Sequence, residues 1–86
     1  MLMAKPHNGY PSWNSWNVSL WINNEYNLYI TAYDLVQREG MTRAIEILTN
    51  WWGKKRTPDG GVFNKRSIAI ALEGIDELVT QTRDDE

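Results

Sequence analysis

Ser12 to Asn24 reads S-W-N-S-W-N-V-S-L-W-I-N-N and holds three of the chain's five tryptophans within nine residues. An indole carries roughly 150–250 Å² of surface to bury. Whatever this stretch becomes, the rest of the chain has to be arranged around it. Two local structures compete. As a helix, Ser12 is the N-cap, its hydroxyl accepting from an otherwise orphaned backbone N–H. Trp13, Trp16 or Asn17, Leu20 and Trp21 then recur at helical spacing on one face. As a strand, Trp16, Val18, Leu20 and Ile22 alternate with Asn17, Ser19 and Trp21, and Asn23-Asn24 becomes a hairpin turn. The helix is the favoured reading, with its tryptophans filling the centre of the domain. The hairpin over 16–31, and with it an α+β fold, is the alternative.

The rest of the chain reads as helices. Asn24 is placed to cap a second helix from Glu25 to about Glu39. Its buried stripe is Leu28, Tyr29, Ala32, Leu35 and Val36, Asp34 and Arg38 pair on its outside, and Gly40 ends it as a left-handed cap. Thr42 is placed to cap a third helix that runs to Trp52, with Gly53 closing it. Trp51 and Trp52 are neighbours and so point about 100° apart on a helix. One of them is then core and the other lies at the rim or anchors an interface, where Trp is enriched. Pro58-Asp59-Gly60 carries turn chemistry. Asn64 is placed to cap a last helix from Lys65 to about Thr82, with Ile68, Ala71, Leu72, Ile75, Leu78 and Val79 on its apolar face. Gly74 inside that helix suggests a close helix contact. The expected architecture is an all-α single domain over 1–86, about four helices around a tryptophan-rich core. Residues 1–10 and 83–86 are expected to be flexible.

Length and composition narrow the function. At 86 residues the chain supports one core, and ten aromatic residues help so small a core to suffice. Cysteine is absent, which removes disulfides and thiolate metal sites and suits a reducing, cytoplasmic compartment. There is no apolar run long enough for a membrane span and no signal-peptide core. His7 is the single histidine and has no second ligand at metal spacing. No nucleophile–base set, carboxylate pair or dinucleotide fingerprint occurs, so no catalytic, metal or cofactor residue is assigned and the chain is not read as an enzyme.

Charge is uneven. Net charge is −2, yet Lys54 to Arg66 holds Lys54, Lys55, Arg56, Lys65 and Arg66 against Asp59 alone, and Glu73 to Glu86 holds six acids against Arg83. Lys65 and Arg66 sit in the first turn of a helix, the unfavourable end for cations. Together with Lys54 to Arg56 they are candidates for one basic patch.

Asn8 to Asn24 also resembles the opening of a family of short bacteriophage and mobile-element proteins. Those begin with an N-G-[YW] turn followed by [NS]-aromatic-x-[ST]-W-N-V-x-L-W-[IL]-[DN]-N. The matching positions here are Asn8, Gly9, Tyr10, Ser12, Trp13, Ser15, Trp16, Asn17, Val18, Leu20, Trp21, Ile22, Asn23 and Asn24. The T-P-D-G of Thr57 to Gly60 extends the likeness. After Asn24 the chain departs from it, reading E-Y-N-L-Y where D-E-G-L-Y is usual. The resemblance brings a context, not a mechanism.

In that context the leading expectation is a small protein-binding module that docks on a host protein or complex and inhibits it, in the manner of anti-defence or anti-CRISPR proteins. Trp51 and Trp52 are the candidate anchors, and Lys54, Lys55, Arg56, Lys65 and Arg66 the candidate steering charges. A nucleic-acid binder using the same five cations is the alternative. A homodimer packed through the third or fourth helix is a further one.

Overall fold

The computed structural model describes residues 9–84. His7 and Asn8, the remainder of the N-terminal segment, and Asp85 and Glu86 lie outside the described residues. Four helices follow one another: α1 (Trp13–Asn24), α2 (Tyr26–Glu39), α3 (Met41–Trp52) and α4 (Lys65–Asp84). The fold is all-α, and the hairpin over 16–31 does not form. α4 runs two residues beyond its expected end.

Local chemistry sets most of these boundaries. Ser12 is extended and its hydroxyl accepts from the Ser15 N–H at 3.1 Å, a cap worth about 1 kcal/mol. At the start of α4 the Asn64 side-chain oxygen Oδ1 accepts from the Ser67 N–H at 2.8 Å, and the Ser67 hydroxyl accepts from the Asn64 N–H at 3.0 Å. Two expected caps are displaced. Asn24 is the last residue of α1, and Glu25, in extended conformation, ends α1 and starts α2 by itself. Gly40 does the same between α2 and α3, so Thr42 falls inside α3. Gly40 has φ 84° and ψ 168°, which is not the left-handed helical conformation expected of it. It is a region open essentially to glycine alone. With a single residue at each joint, the chain turns sharply and there is no room for a separate capping residue.

α4 packs against each of the other three helices, most extensively against α1. α2 packs on both of its sequence neighbours, whereas α1 and α3 do not pack on one another. The core is Val18 and Ile22 from α1, Ala32, Leu35 and Val36 from α2, and Ala44, Leu48 and Trp52 from α3. Phe63 and the α4 residues Ile68, Ala71, Leu72, Ile75 and Val79 complete it.

The tryptophans of α1 do not fill that core. The buried face of α1 is Ser15, Val18, Ser19 and Ile22, together with Asn17. Ser15, Val18, Ser19 and Ile22 fall at i, i+3, i+4 and i+7, one helical stripe made mostly of small residues. The distance between two packed helices follows the side chains at their contact. Serines on the inward face of α1 are short enough to let a neighbouring helix come close, and α1 packs most extensively against α4. Trp13 is exposed and Trp16 and Trp21 are half-buried on the flanks. Only Trp52 belongs to the core, edge-on to Phe63 with ring centres 5.8 Å apart. Two α4 expectations also change: Leu78 is largely exposed, and Gly74 has open space where a side chain would stand, so it marks no close contact.

Residues 53–64 are ordered by their own hydrogen bonds. The Lys54 N–H donates to the Phe63 carbonyl and the Phe63 N–H to the Lys55 carbonyl, both at 2.9 Å. Arg56 and Val62 form an isolated antiparallel bridge. The Gly60 N–H closes a turn onto the Thr57 carbonyl at 2.9 Å, with Pro58 at the second position where its fixed φ is favoured. The result is a short hairpin-like loop at the junction of α3 and α4.

Candidate functional site

One polar edge of α1 holds this loop in place. Asn14, Asn17 and Trp21, at i, i+3 and i+7, all face it. The Asn14 carboxamide donates to the Val62 carbonyl at 2.9 Å and accepts from the Val62 N–H at 2.6 Å, pairing with that residue's backbone as a strand would. Asn17 is 1% exposed. Its oxygen accepts from the Thr57 hydroxyl, and its amide donates to the Asp59 carboxylate at 3.1 Å. The Trp21 indole N–H donates to the same carboxylate oxygen at 3.0 Å. The Thr57 hydroxyl in turn accepts from the Gly61 N–H at 2.9 Å. Gly61 is required by this contact, because a Cβ there would stand 2.6 Å from the Asn17 oxygen. Hydrogen bonds, from Asn17 first and then Trp21, hold the Asp59 carboxyl below its ordinary value.

The asparagines of the N-terminal stretch and the T-P-D-G segment are thus two halves of one latch. The link was missed at the level of sequence, although two asparagines and a tryptophan on one helical edge are a readable signal for a polar contact.

Beside the latch lies an aromatic cleft of about 300 Å³. Trp21, Leu28, Trp52, Pro58 and Phe63 line it, with Lys55, Arg56 and Glu25 among the lining residues. Four separate segments contribute to it, which is why no local pattern announces it. Lys54, Lys55 and Arg56 are exposed along its loop. Lys54 has φ 74°, an uncommon conformation for a residue other than glycine. Arg56 donates from its guanidinium to the Gly60 carbonyl at 3.2 Å.

A second concavity, of about 500 Å³, runs between α2 and α3. Ile30, Tyr33, Leu35, Arg38 and Trp51 are among its lining residues. Trp51 is 56% exposed and Ile30 43% exposed, against 9% for Trp52. Of the adjacent indoles, one is core and one stands in water.

The five sequence-predicted cations are not gathered at one concavity. Lys55 and Arg56 line the aromatic cleft. Lys65 lines a groove with Arg43 and Glu46, and Arg66 another with Glu73 and Glu77. Among the described residues no group of three or more His, Asp or Glu is arranged to hold a metal ion, and no helix is long and apolar enough to cross a membrane.

Residues 3–85 match the model of a family described as a family of unknown function (DUF7249). No curated protein and no solved structure matches the chain.

Proposed function

The chain belongs to that family of unknown function, so its activity has to be argued from its own surface, and we propose that it is a protein-binding module anchored by Trp51. The exposure of Trp51 is the observation that carries this. Water around a large indole is costly, and here it sits with Ile30 on one concave, largely apolar groove. Exposed apolar patches of this kind mark association sites, and a central Trp is a frequent hot spot within them. The partner we propose is a host protein or complex whose activity is blocked by docking, of the anti-defence or anti-CRISPR kind. That choice rests on the phage-type resemblance of Asn8 to Asn24. Nucleic-acid binding is the weaker reading. A backbone-tracking groove needs cations in line, whereas Arg66 shares its groove with Glu73 and Glu77.

The test is capture of partners from a bacterial lysate by the tagged protein, with and without nuclease, using the wild type and Trp51→Ala. We expect a stoichiometric protein complex that survives nuclease. Trp51→Ala should lose it while keeping the wild-type melting temperature to within a few degrees, because exposed positions contribute little to stability, about 0.5 kcal/mol or less. A complex unchanged by Trp51→Ala, or capture abolished by nuclease, would defeat the proposal. A sedimenting dimer that Trp51→Ala dissolves would assign the groove to a second copy of the chain instead.

A further inference from the structure

The aromatic cleft is chemically unlike the Trp51 groove. Its walls are the side chains of Trp21, Leu28, Trp52, Pro58 and Phe63, and Lys55 and Arg56 line it from the loop. About 300 Å³ is at the small end of ligand-site volumes and takes one large apolar side chain. The floor is rigid for two reasons. Trp52 and Phe63 are core residues in edge contact, and Trp21 is fixed by its bond to Asp59. The cations stand beside it on a loop whose backbone is held by hydrogen bonds, so a partner does not have to order that backbone.

We infer that this cleft receives a large apolar side chain from an acidic segment of a partner protein, with flanking carboxylates meeting Lys54, Lys55 and Arg56. The inference rests on the reading of the domain as a protein-binding module, and it adds the chemistry of the bound segment. Charge complementarity selects the occupant: Lys55 and Arg56 line the cleft, Lys54 precedes them on the same loop and is exposed as they are, and juxtaposed unlike charges steer encounter and fix register. A single-stranded nucleic acid offers stacking bases and negative charge as well. The placement of the other cations disfavours it: a strand needs a continuous basic track, whereas Lys65 and Arg66 line other concavities.

Amide correlation spectra of the full chain test this directly, because each indole N–H gives its own signal. The probes are a short peptide with one phenylalanine flanked by aspartate and glutamate, the same peptide with lysines in place of the acids, and a short single-stranded oligonucleotide. We expect the acidic peptide to move the Trp21 and Trp52 indole signals while Trp51 stays still, and the lysine peptide to move none of the three. The Lys54→Glu/Lys55→Glu variant should weaken the acidic peptide on the order of tenfold or more, with Lys65→Glu/Arg66→Glu unchanged as a control of equal charge. Arg56 is left intact in both variants because it braces the loop.

No response at Trp21 and Trp52, an equal response to the lysine peptide, or a response to the oligonucleotide alone would overturn the inference. These failures are separable from failure of the module reading. A lysate complex that needs Trp51 but binds the Lys54→Glu/Lys55→Glu variant normally removes the acidic segment and leaves the module standing.

Discussion

Asn17 ties α1 to a segment about 40 residues away in the chain. It is buried and joins α1 to two side chains of the 57–61 turn. Replacing it with Ala leaves the buried Thr57 hydroxyl without its acceptor and opens a gap beside Gly61. Stranding one buried polar group costs about 1–3 kcal/mol. We therefore expect Asn17→Ala to lower stability by about that amount and to loosen the loop, read as faster amide exchange at Gly61 and Val62. An unchanged exchange pattern would mean that the loop's internal hydrogen bonds hold it unaided. Asp59 gives the same latch a pH signature. Its folded pKa is depressed by the bonds from Asn17 and Trp21. The stabilisation is thus present above the unfolded value of 3.8 and fades as pH falls from there toward the folded value. Melting temperatures should fall more steeply below about pH 4 in the wild type than in Asp59→Asn, and parallel curves would remove Asp59 from the latch.

At the scale of elements, the joints decide the shape. α1 to α2 and α2 to α3 each turn on one residue, Glu25 and Gly40. Glu25 is in ordinary extended conformation and tolerates many side chains there. Gly40 is different, because an L side chain at φ 84° and ψ 168° is strained by about 1–3 kcal/mol. There is open space around it, so steric crowding adds nothing to that cost. Gly40→Ala should therefore destabilise by about that backbone term with an unchanged denaturant slope. Wild-type stability would show that the joint relaxes into another conformation. Both joints were legible only in part. Capping residues were expected at Asn24 and Thr42, where propensity favours them, but the helices run into each other and the cap positions are taken by whatever residue occupies the bend.

For the molecule as a whole, one core is shared by all four helices and Phe63. Trp52 is its single tryptophan, closing the end where α3 meets the loop. Deleting a buried Trp costs about 3–5 kcal/mol, against a total of about 4–13 kcal/mol for a chain of this length. Trp52→Ala should therefore lie near the threshold of folding and also lose the aromatic cleft, since the same ring lines both. Urea unfolding followed by far-ultraviolet dichroism and by fluorescence should give coincident transitions, strongly shifted in this variant. Separate transitions would divide the molecule into more than one cooperative unit.

The amino-acid sequence by itself determined the helices, because periodicity and capping are local: Ser12, Asn64 and the stripes of α2 and α4 act within a few residues of themselves. It also determined that Trp51 and Trp52 have different fates, since neighbours on a helix diverge by about 100°. Tertiary structure decided which one is core and which face of α1 turns inward. Hydrophobicity ranks tryptophan above serine, but α1 packs into the domain with Ser15 and Ser19 buried and its indoles at the flanks. It decided as well that Asn14, Asn17 and Trp21 would meet Thr57, Asp59 and Val62 across about 40 residues of chain. Hydrogen bonds of that span depend on where four helices place two distant segments, and no local pattern of residues contains that distance.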